Sequence, residues 1–398
     1  MNTFEDQELL TLCRELIKTP SLSGQEDKVA AILEHYFLEN GFDEVTRDDY
    51  GNLIGCIHGS KPGLKILFDG HMDTVPVGEK SDWQHDPYGA EVENGRLYGR
   101  GTSDMKCALG AMAVAAARFA KANNHDFAGD IYIAGIVHEE CFEGVAARSV
   151  SAIVKPDIVV IGEASELKLK ISQRGRAEIR LETFGVPAHS SNPDKGVNAV
   201  YGICRVIEAI RALPCPEHDF MGKGIQELTD IKSSPYPGAS VVPEYCLATY
   251  DRRLLVGETK ESVLAPLQAV IDELTKEMPE LKAKVSYATG SEICYTGAPI
   301  EGERFFPGWL YERSEGFIRR IEEQMEAEGL SHEISRYDFC TNGSHYAGEA
   351  GIRTVGFGPS RENLAHTIDE YVELSELLGA EKGYEAIMRA LTDGKEDT

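Results

Sequence analysis

The sequence predicts an α/β protein in which a mostly parallel, helix-covered sheet carries an inserted, compact βαββαβ unit. Three observations predict it. Strand-like apolar runs alternate with helical patterns up to about residue 174, the order changes to strand, helix, strand, strand, helix, strand from about 175 to 293, and the first pattern then returns. At 398 residues and 42% hydrophobic content, the chain is long enough to fill two cores.

Amphipathic helices are predicted over 7–18 and 25–40, the second with Ser23 as its cap and Glu26 closing a capping box. Residues 65–68 predict a buried strand, 104–121 a helix, and 130–137 and 157–161 two further strands. Within the insertion, strands 177–184, 226–232, 245–255 and 281–287 with helices 197–213 and 260–277 make a ferredoxin-like order. Helix 314–328 and strands 333–337 and 354–357 resume the first pattern. Residues 1–174 and 294–398 are therefore expected to fold as one domain around 175–293.

The charge balance, 40 basic against 66 acidic residues for a net −26, argues against nucleic acid or an anionic membrane as a partner. The longest apolar run, 108–117, is too short to span a bilayer. Glu5, Asp6 and Glu8 stand where a targeting segment would be basic, so neither secretion nor organelle import is signalled. Nine cysteines are an odd number without a C-x-x-C pair, which points to free thiols in a reducing cytoplasm.

His71, Asp73, Asp104, Glu139, Glu140, Glu163 and His366 each stand where an apolar run gives way to a loop. Imidazole with carboxylate is the ligand set of zinc and its divalent neighbours, and strand ends are where open α/β sheets form their sites. So many carboxylates converging without a cation would repel one another, an objection that a dinuclear centre removes. The two-residue spacing puts His71 and Asp73 on one side of an extended segment, so that Asp73 can fix the tautomer of a ligating His71. Residues 99–104, Gly-Arg-Gly-Thr-Ser-Asp, look like a dinucleotide loop, but Asp104 at the third glycine position would turn its charge on a pyrophosphate. A carboxylate bridging two cations suits Asp104 better. Glu139 and Glu140 are adjacent at a strand end and point apart, which makes one a ligand and the other a general base facing the nucleophilic water. Glu163 repeats the strand-end placement, and His366 precedes Thr367-Ile368-Asp369-Glu370.

Nearly end to end, the chain resembles the co-catalytic zinc aminoacylase and carboxypeptidase family, which includes acetylornithine deacetylase, succinyl-diaminopimelate desuccinylase and glutamate carboxypeptidase. The resemblance is carried by 70–76 (Gly-His-Met-Asp-Thr-Val-Pro), 98–106 (Tyr-Gly-Arg-Gly-Thr-Ser-Asp-Met-Lys), His138-Glu139-Glu140, Gly162-Glu163 and 365–370 (Ala-His-Thr-Ile-Asp-Glu). It implies a zinc-peptidase-like catalytic domain, with His71 and Glu163 on one zinc, Glu140 and His366 on the other, Asp104 bridging, Glu139 as base and Asp73 as partner of His71. It also implies that 175–293 is a lid that mediates a homodimer, with His189 reaching a substrate oxygen. Asp251-Arg252-Arg253 resembles the element whose arginine holds the substrate carboxylate; strand alternation lets one of the two face the cleft, and Arg253 is favoured. Thr341-Asn342-Gly343-Ser344 resembles the loop offering that carboxylate backbone donors and a hydroxyl. Cys107 stands where family members usually carry glycine, and a small buried thiol accounts for it. Residues 337–359 with 173–178 look closest to a branch linked to selenium metabolism.

The implied reaction is hydrolysis of an amide in an N-acyl amino acid or small peptide, of deacylase or desuccinylase type, by a metal-bridging water and Glu139. A dipeptidase or carboxypeptidase presents the same bond to the same metals. Zinc, cobalt and manganese share these ligands. An inactive carboxylate-binding or scaffold relative would have lost ligands, whereas every expected position is filled. A cysteine hydrolase would need a thiol paired with a histidine, and no spacing singles one out.

Overall fold

The computed structural model describes residues 4–394. The chain divides into two compact units, the first made of 1–173, 291–302 and 310–398 and the second of 174–290 and 303–309.

The first unit begins with α1 (Phe4–Lys18) and α2 (Asp27–Glu39), then β1 (Glu44–Arg47), β2 (Leu53–His58), β3 (Lys61–His71), α3 (Lys106–Ala122), β4 (Ala128–Ile136), α4 (Ala147–Val154), β5 (Ile158–Ile161) and β6 (Leu169–Gln173). The expected capping box of α2 is not formed. Glu26 is the N-cap residue with no side-chain cap bond, because its carboxylate accepts from the amides of Gly24 and His138, while the Ser23 hydroxyl donates to Asp73.

The second unit holds β7 (Gly175–Phe184), α5 (Ala199–Arg211), β8 (Ile225–Ser234), β9 (Tyr245–Leu254), α6 (Lys260–Glu277) and β10 (Lys282–Tyr287). Its strands run β8-β9-β7-β10, all antiparallel, which is the ferredoxin-like arrangement. Alternation decides the faces: Ala177, Ile179 and Leu181 of β7 pack with Ile203, Val206 and Ile210 of α5 and with Leu267 and Ile271 of α6.

Back in the first unit follow α7 (Gly316–Ala327), β11 (Ile334–Tyr337), β12 (Arg353–Gly356) and α8 (Leu374–Leu391). The sheet order is β1-β2-β4-β3-β5-β12-β6, with β11 paired to β6. The centre, β4-β3-β5-β12, is parallel; β1, β2 and the β12–β6 pairing are antiparallel, so the sheet is mixed with a parallel core. Strand β12 enters late in the sequence yet lies between β5 and β6. The alanine-rich α3 is buried almost throughout and packs with both α1 and α8. Gly70 and Gly162 let it approach the sheet: a Cβ at either would fall 2.8 or 2.7 Å from Met105 Cε.

Cys107 is buried in α3 and is a free thiol, as are the other eight cysteines. Among the described residues, no helix is long and apolar enough to cross a membrane.

Candidate metal centre

Three neighbouring parallel strands deliver most of the site. His71 ends β3, His138-Glu139-Glu140 follow β4, and Glu163 follows β5, so their carboxyl ends lie side by side. Asp104 arrives from the turn before α3, and His366 from the loop after β12. His138 and His366 take left-handed backbone conformations, φ 54° and 62°, which non-glycine residues keep only where the surroundings fix them.

The side chains converge. His71 Nε2 is 2.8 Å from Asp104 Oδ1 and 3.4 Å from Glu163 Oε1, and His366 Nε2 is 3.1 Å from Asp104 Oδ2 and 3.0 Å from Glu140 Oε2. Asp104 thus spans the two imidazoles with its two oxygens. Glu139 Oε2 lies 4.0 Å from His71 Nε2, and Glu139 Oε1 is buried without a hydrogen-bond partner.

Asp73 differs from the expectation. The Nδ1–H of His71 donates to the Asp73 carbonyl at 2.9 Å, while the carboxylate stands off at 3.6 Å. The tautomer that frees Nε2 is therefore set by backbone. The fully buried Asp73 carboxylate instead accepts from the amides of Glu139 and Glu140 at 3.1 and 3.2 Å and from the Ser23 hydroxyl at 2.7 Å.

Charge is out of balance in this pocket. Burial opposes ionisation of Asp104, but hydrogen bonds from His366 and His71 outweigh it and hold the carboxyl below its usual range. Hydrogen bonds to Asp104 and Glu140 push His366 up to about 10. Burial, then the charge of Asp104, pushes Glu140 and Glu163 up to about 7. Burial, with Glu163, Glu143 and Glu140 adding repulsion against the pull of His71, raises Glu139 well above the ordinary carboxylate value. Four carboxylates share two imidazoles, and divalent cations would supply the missing positive charge. The ligand atoms of His71, Asp104 and Glu140 lie within 4.8 Å of one another, as do those of His71, Glu139 and Glu163. The donor set fits two divalent ions.

Residues 67–390 match the sequence pattern of peptidase family M20/M25/M40. The chain belongs to this family. It is 30% identical over 379 residues to the uncharacterised protein YgeY of Escherichia coli K12, covering 94% of this chain and 92% of that one. It is 26% identical over 394 residues to succinyl-diaminopimelate desuccinylase 2 of Ruegeria sp. TM1040, covering 95% and 93%. The crystal structure of aminopeptidase PepT from Bacillus cereus ATCC 10987 shares the fold, with a TM-score of 0.76 at 20% identity over 97% of this chain and 98% of that one. The M20 chain is a metal-dependent hydrolase.

Two residues quoted within the motifs, Glu370 and Lys106, have roles in this M20 site that the sequence did not assign. Glu370 Oε1 accepts from the amides of Gly101, Ser103 and Asp104 at 3.0, 2.8 and 3.1 Å, and its Oε2 pairs with Arg100. It ties the His366 loop to the Asp104 turn. Its type and its place four residues after His366 were the available signal. Lys106, buried two residues after Asp104, donates to the carbonyls of Leu16 and Thr19 and to Ser21 Oγ.

The residues expected to meet a substrate carboxylate divide. Asn342 Nδ2 donates to Asp69 Oδ1 at 2.9 Å and Asn342 Oδ1 accepts from the Gly144 amide at 2.8 Å, so that amide group is spent within the fold. The amides of Gly343 and Ser344 both donate to Thr341, correcting the expectation that this loop offers them outward; buried donors need partners. The Ser344 hydroxyl is buried with no partner. In the second unit, Arg252 is buried and donates to the carbonyls of Ile225 and Arg253 and to Glu258. Arg253 remains half-buried, with its Nε 2.7 Å from Asp251. His189 is exposed, with Nδ1 2.8 Å from Ser191 Oγ.

Proposed function

We propose that this M20 hydrolase cleaves the amide bond of an N-acyl amino acid in a deacylase or desuccinylase reaction, with Glu139 as general base. The observation that carries the reading is Glu139 itself: a buried carboxylate with one oxygen unpartnered, on a side chain within 4.8 Å of ligand atoms of His71 and Glu163. In this reading His71 and Glu163 hold one ion, Glu140 and His366 the other, and Asp104 takes both, with zinc as the native metal and cobalt or manganese as substitutes. Bound ions of this kind supply a Lewis acid for the carbonyl oxygen and acidify water to a pKa of about 7. Glu139 takes the proton of the attacking water and returns it to the departing nitrogen. Asp73 keeps the Glu139–Glu140 turn in place through the two amides it accepts. The similarity to the desuccinylase of Ruegeria supports the deacylase reading.

Within the same proposal, the ferredoxin-like unit is a lid and dimerisation module acting in the cytoplasm. Arg253 rather than Arg252 takes the substrate carboxylate, because the Arg252 guanidinium is already committed. His189 assists at a substrate oxygen.

The test is amine release from a panel of N-acyl amino acids and dipeptides by protein reconstituted with zinc or cobalt, with Glu139→Gln alongside. Cleavage of acylated amino acids by the wild type, lowered about 10²- to 10⁴-fold in the variant at unchanged metal content, is the expected result. Activity retained by Glu139→Gln would remove its role as base, and preference for dipeptides would transfer the protein to the peptidase side of its family.

A further inference from the structure

The loop between α1 and α2 lies outside the sheet, yet it touches the segment after His71, the start of α3 after Asp104 and the turn that carries Glu139 and Glu140. Ser21 Oγ donates to the Met72 carbonyl at 2.7 Å, and the Thr74 amide donates to the Ser21 carbonyl at 2.8 Å, which fixes the loop on both sides of Asp73. Leu22 and Thr74 form a parallel bridge there. Lys106 reaches Ser21 Oγ at 3.3 Å from the start of α3. Glu26 Oε1 accepts from the His138 amide at 3.1 Å, on the other side of Glu139. At the centre, Ser23 Oγ donates to Asp73 Oδ2 at 2.7 Å.

We propose that Ser23 is a positioning residue: its hydroxyl, through Asp73, orients the turn that carries Glu139 and Glu140. This rests on the proposed role of Glu139. The bond from Ser23 is the shortest the Asp73 carboxylate accepts, and Oδ2 shares it with the Glu140 amide at 3.2 Å while Oδ1 holds the Glu139 amide at 3.1 Å. A carboxylate held from three directions cannot rotate about its Cβ–Cγ bond. Without the hydroxyl it is held by the two amides alone, and both belong to the turn it is meant to fix. The turn then loses the side-chain link from Asp73 to the α1–α2 loop, while the Ser21 bonds on either side of Asp73 and the Glu26 contact on His138 remain. Ser23 is half-buried and forms no cap on α2, so its hydroxyl has no competing duty in the helix. Displacing a base by a fraction of an ångström lowers turnover while leaving substrate contacts elsewhere intact.

The experiment compares wild type, Ser23→Ala, Ser23→Thr and Glu139→Gln in steady-state kinetics on the best panel substrate, with thermal unfolding and competition for bound cobalt by a chelator. Ser23→Ala is expected to lower kcat about 10- to 100-fold with KM within about twofold of wild type, and to release cobalt more readily, the range that supporting partners of metal ligands typically show. Ser23→Thr, which keeps the hydroxyl, is expected to recover most of kcat. A Ser23→Ala kcat within about twofold of wild type while Glu139→Gln is inactive would overturn this inference alone. A kcat loss that tracks a fall in Tm and is not recovered by Ser23→Thr would also overturn it. Full activity in Glu139→Gln would instead overturn the base assignment on which the inference stands.

Discussion

Glu370 Oε1 accepts the amide hydrogen of Asp104 at 3.1 Å across 266 residues of sequence. The same oxygen takes the amides of Gly101 and Ser103, so one buried carboxylate organises the turn presenting the residue that spans the two imidazoles, and its second oxygen neutralises Arg100. Glu370→Ala would leave Arg100, 3% exposed, as a buried charge without its carboxylate. Breaking such a pair costs about 3–5 kcal/mol. Calorimetry should show a lowered Tm, and chelator competition a weakened hold on divalent ions; an unchanged Tm would remove Glu370 from this role.

The adjacent arginines of β9 should separate. Arg252→Ala removes a buried guanidinium from two carbonyls and Glu258, so it should lower Tm. Arg253→Ala should leave Tm near wild type and raise KM about tenfold or more, the equivalent of one charged hydrogen bond of roughly 1.5 kcal/mol. Equal KM changes in the two variants would contradict the division of labour.

Acid stability should report on the segment that follows Ser344. His345 is 2.7 Å from Ser151 Oγ and 2.9 Å from Glu349 Oε2, and Arg148 grips Glu349 with two nitrogens, which fastens this segment to α4. Burial alone would raise the Glu349 carboxyl, but hydrogen bonds from His345 and Arg148 bring it down to about 2 from 4.5. A folded value below the unfolded one means stability that is complete above about pH 4.5 and is lost as pH falls towards 2. In urea titrations, the stability gap between wild type and Glu349→Gln should therefore narrow between pH 5 and 2. A gap that stays constant would disprove the linkage.

Divalent ions should stabilise the fold itself. At a hundred times its dissociation constant, one ion bound only by the folded state adds about 2.7 kcal/mol. Stripping with a chelator should lower Tm, and zinc, cobalt or manganese should restore it in the wild type but not in Asp104→Ala. Restoration in that variant would place the ions elsewhere.

Much of this was legible in the sequence because it is local. His71, Glu139, Glu140 and Glu163 announce themselves as acids and imidazoles at the ends of apolar runs, and the alternation in β7 and β9 places the second unit's core. What was not legible depends on distant partners. Ser23 and Glu26 spell a capping box, yet a carboxylate 50 residues on and an amide 112 residues on outcompete the helix for them. Asp73 stands two residues from His71 in an ideal spacing, and only the three-dimensional turn shows its carboxylate turned towards Glu139 and Glu140. Short strands such as β1 and β6 lack a pattern of their own and are defined by the neighbours they pair with.

The late entry of β12 has a consequence for how the protein is made. A ribosome reaches Arg353 only after every other strand of the main sheet has been translated, and until then β5 and β6 have no shared neighbour. His366 and Glu370 emerge later still. Until β12 is made, a nascent chain therefore carries an open sheet edge at β5 and an unfinished ion site, and a product of premature termination before Arg353 should be both metal-poor and prone to edge-to-edge association.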